Sequence, residues 1–156
     1  MKRKWTMTSP INWKKGRGKL GIFKPLLGTW VAVAESQMGQ ATCTRKFTTV
    51  LDGAYVQLEA DWEYKGGSYK EIAMMGVGPE KNVNFWSFTS DKKQSHGYLA
   101  DVTDIHPQAV GFESHMDMGL ARQVYWPDDD EGFHWAVESK TKKGWSRFTE
   151  HHYKPV

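Results

Sequence analysis

The pattern of apolar and polar positions changes near residue 29. From there on, short runs rich in β-branched and aromatic residues alternate with clusters of Gly, Pro, Asn, Asp and Ser. Regular spacing of such runs is typical of an antiparallel sandwich or barrel, and no stretch after residue 28 has helical periodicity. We therefore predict an all-β, up-and-down antiparallel barrel of about ten strands. The predicted strands are 29–36, 41–50, 54–64, 68–77, 82–90, 95–102, 109–114, 119–126, 132–139 and 145–153.

The segment just before the first strand has a different pattern. Apolar side chains fall at Leu20, Phe23, Leu26 and Leu27, which suffices for one or two helical turns despite Pro25. We predict a short N-terminal helical plug that closes one end of the barrel.

One hairpin is marked by Gly66-Gly67, since glycine adopts the positive φ of a two-residue turn at little cost. This turn predicts Tyr64 opposite Tyr69 and Trp62 opposite Glu71. Alternation along both strands then assigns one face to the interior and leaves Glu71 as a carboxylate on an apolar and aromatic wall. The predicted inward residues are Val56, Leu58, Ala60, Trp62, Tyr64, Tyr69, Glu71, Ala73 and Met75.

The last hairpin turns at residues 142–144, and its two faces are harder to assign. One face would carry His134, Ala136 and Glu138 together with Arg147, Thr149, His151 and Tyr153. The other carries Phe133, Trp135, Val137, Phe148 and further residues. Hydrophobicity favours the second face as core, whereas a ligand-holding barrel often keeps an inward polar row. The sequence leaves both possibilities open.

Composition limits the kind of protein that this barrel belongs to. With 156 residues, 39% hydrophobic positions and one cysteine, the chain fits a single soluble domain of a reducing compartment, and we expect a cytoplasmic location. Neither a signal-peptide core nor a stretch of roughly 18 apolar residues is present, so we predict no membrane partner. The net charge of +3 comes largely from a basic, partly mobile leader at 1–19, ahead of the domain at 20–156. Nucleic-acid binding by this leader is the less favoured interpretation.

The segment Pro25-Leu-Leu-Gly-Thr-Trp30 resembles the opening of calycin barrels, which include lipocalins, fatty-acid-binding proteins and nitrobindin-like proteins. In that group Gly-x-Trp begins the first strand, and the Trp closes the barrel floor above the plug. In lipocalins an arginine from a late strand packs over this Trp. The resemblance implies that role for Arg147 against Trp30.

Three further segments, Thr49–Val56, Gly66-Gly67 and Gly76–Lys81, resemble in order and spacing an uncharacterised bacterial family of calycin-like domains. The likeness covers about residues 22–153 and implies a barrel of about ten strands with a central cavity. It implies no activity. Nitrobindin-like proteins carry glycines where this chain has Ala32 and Ala34, and their haem-coordinating histidine segment has no clear counterpart here. We therefore predict no cofactor, with haem as the less favoured alternative.

The expected function is binding of a small hydrophobic or amphipathic molecule inside the barrel, with aromatic walls for affinity and with Glu71, Arg122 and Arg147 for orientation. One alternative is a small-molecule isomerase, cyclase or hydrolase that uses an interior His or Glu71, the catalytic candidate, and the sequence leaves open whether the protein is an enzyme. Another alternative is an interaction module with a filled barrel. Six histidines offer no recognised metal spacing, so no metal site is predicted, and a homodimer is possible. The predicted ligand-binding residues are Trp30, Trp62, Tyr64, Tyr69, Glu71, Met75, Trp86, Arg122 and Arg147.

Overall fold

The protein is a closed antiparallel β-barrel, as the alternating pattern predicted. The computed structural model describes residues 13–36 and 39–156. A 3₁₀ helix at Lys19–Leu26 precedes ten strands, each hydrogen-bonded to the next along the chain, with β10 closing on β1. The strands are β1 (Gly28–Ser36), β2 (Gly39–Val50), β3 (Tyr55–Tyr64), β4 (Gly67–Val77), β5 (Val83–Thr89), β6 (Gln94–Ala100), β7 (Val110–Met116), β8 (Gly119–Pro127), β9 (Phe133–Thr141) and β10 (Gly144–Pro155).

Up-and-down topology gives the barrel two unlike ends. The connections at 51–54, 78–82, 101–109 and 128–132 gather at one end, which also receives the 3₁₀ helix, and we call it the closed end. The tight turns at 65–66, 90–93, 117–118 and 142–143 gather at the other, which we call the open end.

The predicted plug is confirmed. Phe23 and Leu26 of the 3₁₀ helix are buried, and the Phe23 ring stacks on Phe112 of β7 with centroids 5.9 Å apart. The Trp30 indole lies beside the helix, and its Nε1 donates to the Leu26 carbonyl at 2.7 Å. Gly28, the first residue of β1, has φ +127, which a residue with a side chain rarely adopts.

Packing begins before the domain start predicted at residue 20. Trp13 is buried, with its ring 6.3 Å from that of Phe133 and its Nε1 donating to the Gln108 carbonyl at 3.3 Å. The first 12 residues of the predicted leader lie outside the described residues. In the described part of the chain, no helix is long and apolar enough to cross a membrane.

The β3–β4 hairpin has the predicted faces but a different register. Tyr64 pairs with Gly67, Trp62 with Tyr69 and Ala60 with Glu71. The reason is the turn, whose central residues are Lys65 and Gly66, and Gly66 takes the positive φ of 92. The predicted pairing of Trp62 with Glu71 is therefore wrong, although a shift of two positions keeps every side chain on its face.

A β-bulge decides the open question in the last hairpin. Arg147 pairs with Glu138, whereas Thr149 pairs with Val137, so Phe148 is an extra residue in β10. Strand β9 turns Phe133, Trp135 and Val137 inward in simple alternation. Because the bulge reverses the alternation of β10, Arg147 lies outside, whereas Thr149, His151 and Tyr153 lie inside. Each of the two faces predicted from regular alternation is therefore divided between the inside and the outside of the barrel.

Candidate functional site

The interior of the barrel is divided into a packed half and an open half. Toward the closed end, aromatic rings fill the space: Phe133 lies 4.9 Å from Trp30, 5.7 Å from Tyr125 and 5.2 Å from Tyr153, measured between ring centroids. Toward the open end there is a cavity of about 290 Å³. The space available to a small molecule therefore lies under the tight turns and ends on Arg45.

Apolar atoms make most of the surface of the cavity wall, although about half of the lining residues are polar or charged. Its apolar lining includes Trp62, Tyr69, Phe85, Phe112, Trp135 and Val137. Its polar lining includes Arg45, Glu71, Ser87, Gln123 and Thr149. Large apolar surfaces with few convergent polar groups are typical of sites for small organic molecules.

Arg45 of β2 forms the floor of this cavity and is 1% exposed. Its Nη1 donates to the Tyr125 hydroxyl at 2.7 Å and its Nε to the Tyr153 hydroxyl at 3.3 Å. The guanidinium carbon lies 4.2 Å from the ring centroid of Trp135. Burial disfavours the charged form, but the two tyrosines and Glu71 outweigh burial, and the pKa of Arg45 is raised above its ordinary value. Arg45 is therefore a cation inside the barrel.

His151 lies beside this cation and is uncharged near neutral pH. Its Nδ1 is 3.2 Å from the Tyr153 hydroxyl, and its ring packs between those of Trp62 and Trp135, with centroids at 5.0 and 4.9 Å. Burial first, and the charge of Arg45 second, lower the pKa of His151 to about 4. Burial also raises the pKa of Tyr125 and of Tyr153, with Arg45 opposing it in both.

Glu71 lies on the cavity wall, as predicted, and is half-buried. Ser87 of β5 donates its hydroxyl to Glu71 Oε2 at 2.5 Å. Glu71 pairs with Ala60, and Ala60 pairs with Arg45, so the small alanine separates the two charges along the wall. Within the described residues Glu71 has no ion pair at 4.0 Å or less, and Arg122 and Arg147 both bond Glu138 instead.

The other predicted ligand-binding residues lie in several places. Trp62 and Tyr69 line the cavity, in edge contact with each other at 5.8 Å. Trp30 and Met75 are buried inside the barrel, and neither lines the cavity. Tyr64 is half-buried at the open end, against Gly67.

Trp86 and Arg147 are outside the barrel, contrary to prediction. Trp86 follows the inward Phe85, so alternation turns it outward, where it stacks on His96 with centroids 5.4 Å apart. Arg147 precedes the bulge and lies over the Trp126 ring at 5.0 Å, not over Trp30 as the lipocalin likeness implied.

Arg122 borders the cavity, but its guanidinium lies on the outer face of β8. There it bonds Glu138 through Nε at 2.8 Å and Asp104 through both terminal nitrogens at 3.0 and 2.7 Å. Trp145 covers it, with the ring centroid 4.2 Å from the guanidinium carbon. The charge of Arg122 is thus balanced by carboxylates on the outer face of the barrel.

Sequence reasoning missed Arg45, the polar residue most deeply placed in the site. A signal was present, because Ala41, Cys43 and Phe47 are apolar at every second position around it and so mark an inward row. The sequence pattern placed His151 on the same face of the last hairpin as His134. The bulge instead pairs His134 with His152 outside and puts His151 within.

Nucleophilic catalysis by Cys43 and metal binding are two kinds of chemistry that the described residues support poorly. Burial raises the pKa of the Cys43 thiol to about 11, against the opposing effect of Arg45, so this cysteine is a poor nucleophile. In the ranges 13–36 and 39–156, no three His, Cys, Asp or Glu side chains are grouped so that they could hold a metal ion.

Fold and cavity together define a closed ten-stranded antiparallel barrel with an internal site, an architecture compatible with a calycin-like fold. Comparison of the chain with protein-family models and with curated proteins gave no match. The likeness to calycin barrels therefore rests on the architecture and on the Gly28-Thr-Trp30 start of the first strand.

Proposed function

We propose that the barrel binds a small hydrophobic or amphipathic molecule in its interior. The observation that carries this proposal is the division of the interior into a packed half and an open half. A barrel built only for stability would be filled along its whole length, since empty space forfeits contacts. Here a cavity of about 290 Å³ stays open, near the lower end of the range of about 300–1,000 Å³ usual for ligand pockets.

Four titratable groups of the interior are suited to binding rather than to proton transfer. A general acid or base works best when its pKa lies near the working pH. The pKa of His151 is lowered to about 4, that of Cys43 is raised to about 11, and those of Tyr125 and Tyr153 are raised as well. These four groups keep one protonation state near neutral pH, which suits a site that holds a molecule unchanged.

The test uses a neutral fluorescent dye, N-phenylnaphthylamine, and a variant that fills the cavity. Ala121 of β8 is half-buried and lines the cavity, so Ala121→Trp places an indole in the space. Val33 of β1 is 64% exposed on the outer face, and Val33→Trp adds the same ring without filling the interior. We expect Ala121→Trp to weaken dye binding by at least about tenfold and Val33→Trp to leave it unchanged.

Circular dichroism checks that both variants are folded, and Ser114→Phe supplies a second filling variant at a neighbouring lining position. Native mass spectrometry of the freshly purified protein adds the mass of any molecule retained from the host cell. Equal dye binding by the wild type and by both filling variants would place the dye outside the barrel and refute the proposal.

A further inference from the structure

The chemistry of Arg45 specifies one end of the ligand. Buried cations in proteins are almost always paired, because removal of a charge from water is costly. Arg45 is 1% exposed, and its two hydrogen-bond acceptors are the neutral hydroxyls of Tyr125 and Tyr153. In the part of the chain that the structure describes, no carboxylate oxygen lies within 4.0 Å of its guanidinium.

The guanidinium also keeps donors that the protein does not use. Nε and Nη1 bond the tyrosines, and Nη2 has no hydrogen-bond acceptor among the described residues. Arg45 borders the cavity. A ligand lying in the cavity therefore meets a positive charge with free N–H groups at its inner end.

The same geometry limits the charge that the ligand carries. At the inner end Arg45 supplies one positive charge, whereas Glu71, across Ala60 on the same wall, repels negative charge, so that one carboxylate is favoured over two. Planar carboxylates match the fork of N–H groups on a guanidinium. Above Arg45 the aromatic side chains of Trp62, Phe85 and Phe112 face the space, together with neutral polar side chains.

We propose that the bound molecule is a monocarboxylate, whose carboxylate binds Arg45 and whose apolar body lies toward the open end along the aromatic wall. This inference rests on the proposed function and adds the chemical class of the ligand. It assigns to Arg45 the orienting role that the sequence had given to Arg122 and Arg147.

The experiment compares ligands of equal size that differ only in charge, by calorimetric titration near pH 7. One series is octanoate, octanamide and octylamine, and a second is indoleacetate, indoleacetamide and tryptamine. We expect the wild type to bind each acid at least about tenfold more tightly than its amide, the difference that a charge-assisted hydrogen bond supplies. The cationic amines should bind weakest.

Three variants locate the charge responsible. Arg45→Met should remove the preference for acid over amide, and Arg45→Lys should keep part of it because the charge remains while the fork is lost. Glu71→Gln should tighten acid binding a few-fold, because a repulsive carboxylate disappears while the amide oxygen still accepts from Ser87. Arg147→Met, on the outer face, serves as the matched control and should leave the preference unchanged.

The two proposals fail in different ways. Amides that bind as tightly as acids, or an acid preference that survives Arg45→Met, would overturn the carboxylate proposal while leaving interior binding intact. Loss of dye binding in Arg45→Met would indicate that the cavity has collapsed in this variant. The preference of Arg45→Lys for acid over amide then tests the carboxylate proposal in its place. If the wild type binds neither the dye nor any member of the two series, both proposals fail.

Discussion

Two buried arginines, one inside the barrel on β2 and one on the outer face of β8, differ in how their charge is balanced. Arg122, 4% exposed on the outer face, has ion pairs with Glu138 and Asp104, both at 2.7 Å. Arg45, 1% exposed inside, contacts neutral hydroxyls and aromatic rings. A buried charge in direct contact with opposite charges is balanced within the protein, whereas one whose hydrogen-bond acceptors are all neutral is a candidate for pairing with a ligand.

The outer arginine belongs to a connected group of side chains on β8, β9, β10 and the 101–109 connection. Arg147 also bonds Glu138, at 2.8 Å, and reaches Glu150 at 2.9 Å, while the Trp126 ring lies under its guanidinium. The hydrogen bonds from Arg122 hold the pKa of Asp104 below its ordinary value. Every charge in this group has an opposite charge in contact, so no ligand is needed to balance the charges of the group.

The largest effect that we expect from this comparison is on stability. Arg122→Met removes two ion pairs of a buried cation, and the remaining bond from Arg147 to Glu138 offsets part of the loss. We expect the free energy of unfolding to fall by about 3 kcal/mol, at the lower end of the range for breaking a buried pair. Urea unfolding measures it. A loss below about 1 kcal/mol would mean that the outer group contributes no more to stability than exposed surface ion pairs do.

A second effect should appear on acidification, because His151 is buried next to Arg45. The pKa of His151 is lowered from 6.5 to about 4 in the folded chain, so the unfolded chain binds more protons between these values. Stability therefore rises with pH across this window, and acidification from pH 6.5 to about 4 removes about 3 kcal/mol.

The variant His151→Phe isolates this contribution, since carboxylates also titrate in the lower part of the window. We expect urea unfolding of His151→Phe to depend less on pH than that of the wild type. The exposed His115 provides the matched control, and His115→Gln should retain the wild-type dependence. Parallel pH profiles for wild type and His151→Phe would show that His151 is accessible to protons in the folded barrel.

The smallest effect that we expect is on the stability of the interior site. The double variant Arg45→Met with Tyr125→Phe removes the buried cation together with the hydroxyl that it bonds most closely. The Tyr153 hydroxyl is left in place because it also contacts His151. Replacing both partners by apolar groups of similar shape is close to neutral, so we expect stability within about 1 kcal/mol of the wild type. A loss equal to that of Arg122→Met would make Arg45 a structural residue and abolish the contrast between the two arginines.

Much of the architecture could be predicted because it follows from local patterns. Ten runs of strand-forming residues became ten strands, and the apolar spacing at Phe23 and Leu26 became the plug. The inward placement of Trp62, Tyr69 and Glu71 also followed, since alternation survives the register shift in their hairpin. Whether these residues bind a ligand stays a prediction.

The misplacement of Arg147 has a particular cause. A strand of period two assigns Arg147 and His151 to one face, and a single extra residue, Phe148, separates them. Phe148 has no glycine or proline beside it to mark a bulge in the sequence. Arg122 was misplaced for a different reason, because an arginine near the barrel interior was assumed to turn toward it.

The sequence by itself determined the class of fold, the number of strands and the closed end, because alternation, turn residues and the plug act over a few neighbouring positions. Only the tertiary structure decided where charge and space lie inside. Tyr125 and Tyr153 reach Arg45 from strands 80 and 108 residues away along the chain, and the bulge in β10 brings His151 beside them. Contacts of such long range depend on how all ten strands close, so no local pattern specifies them.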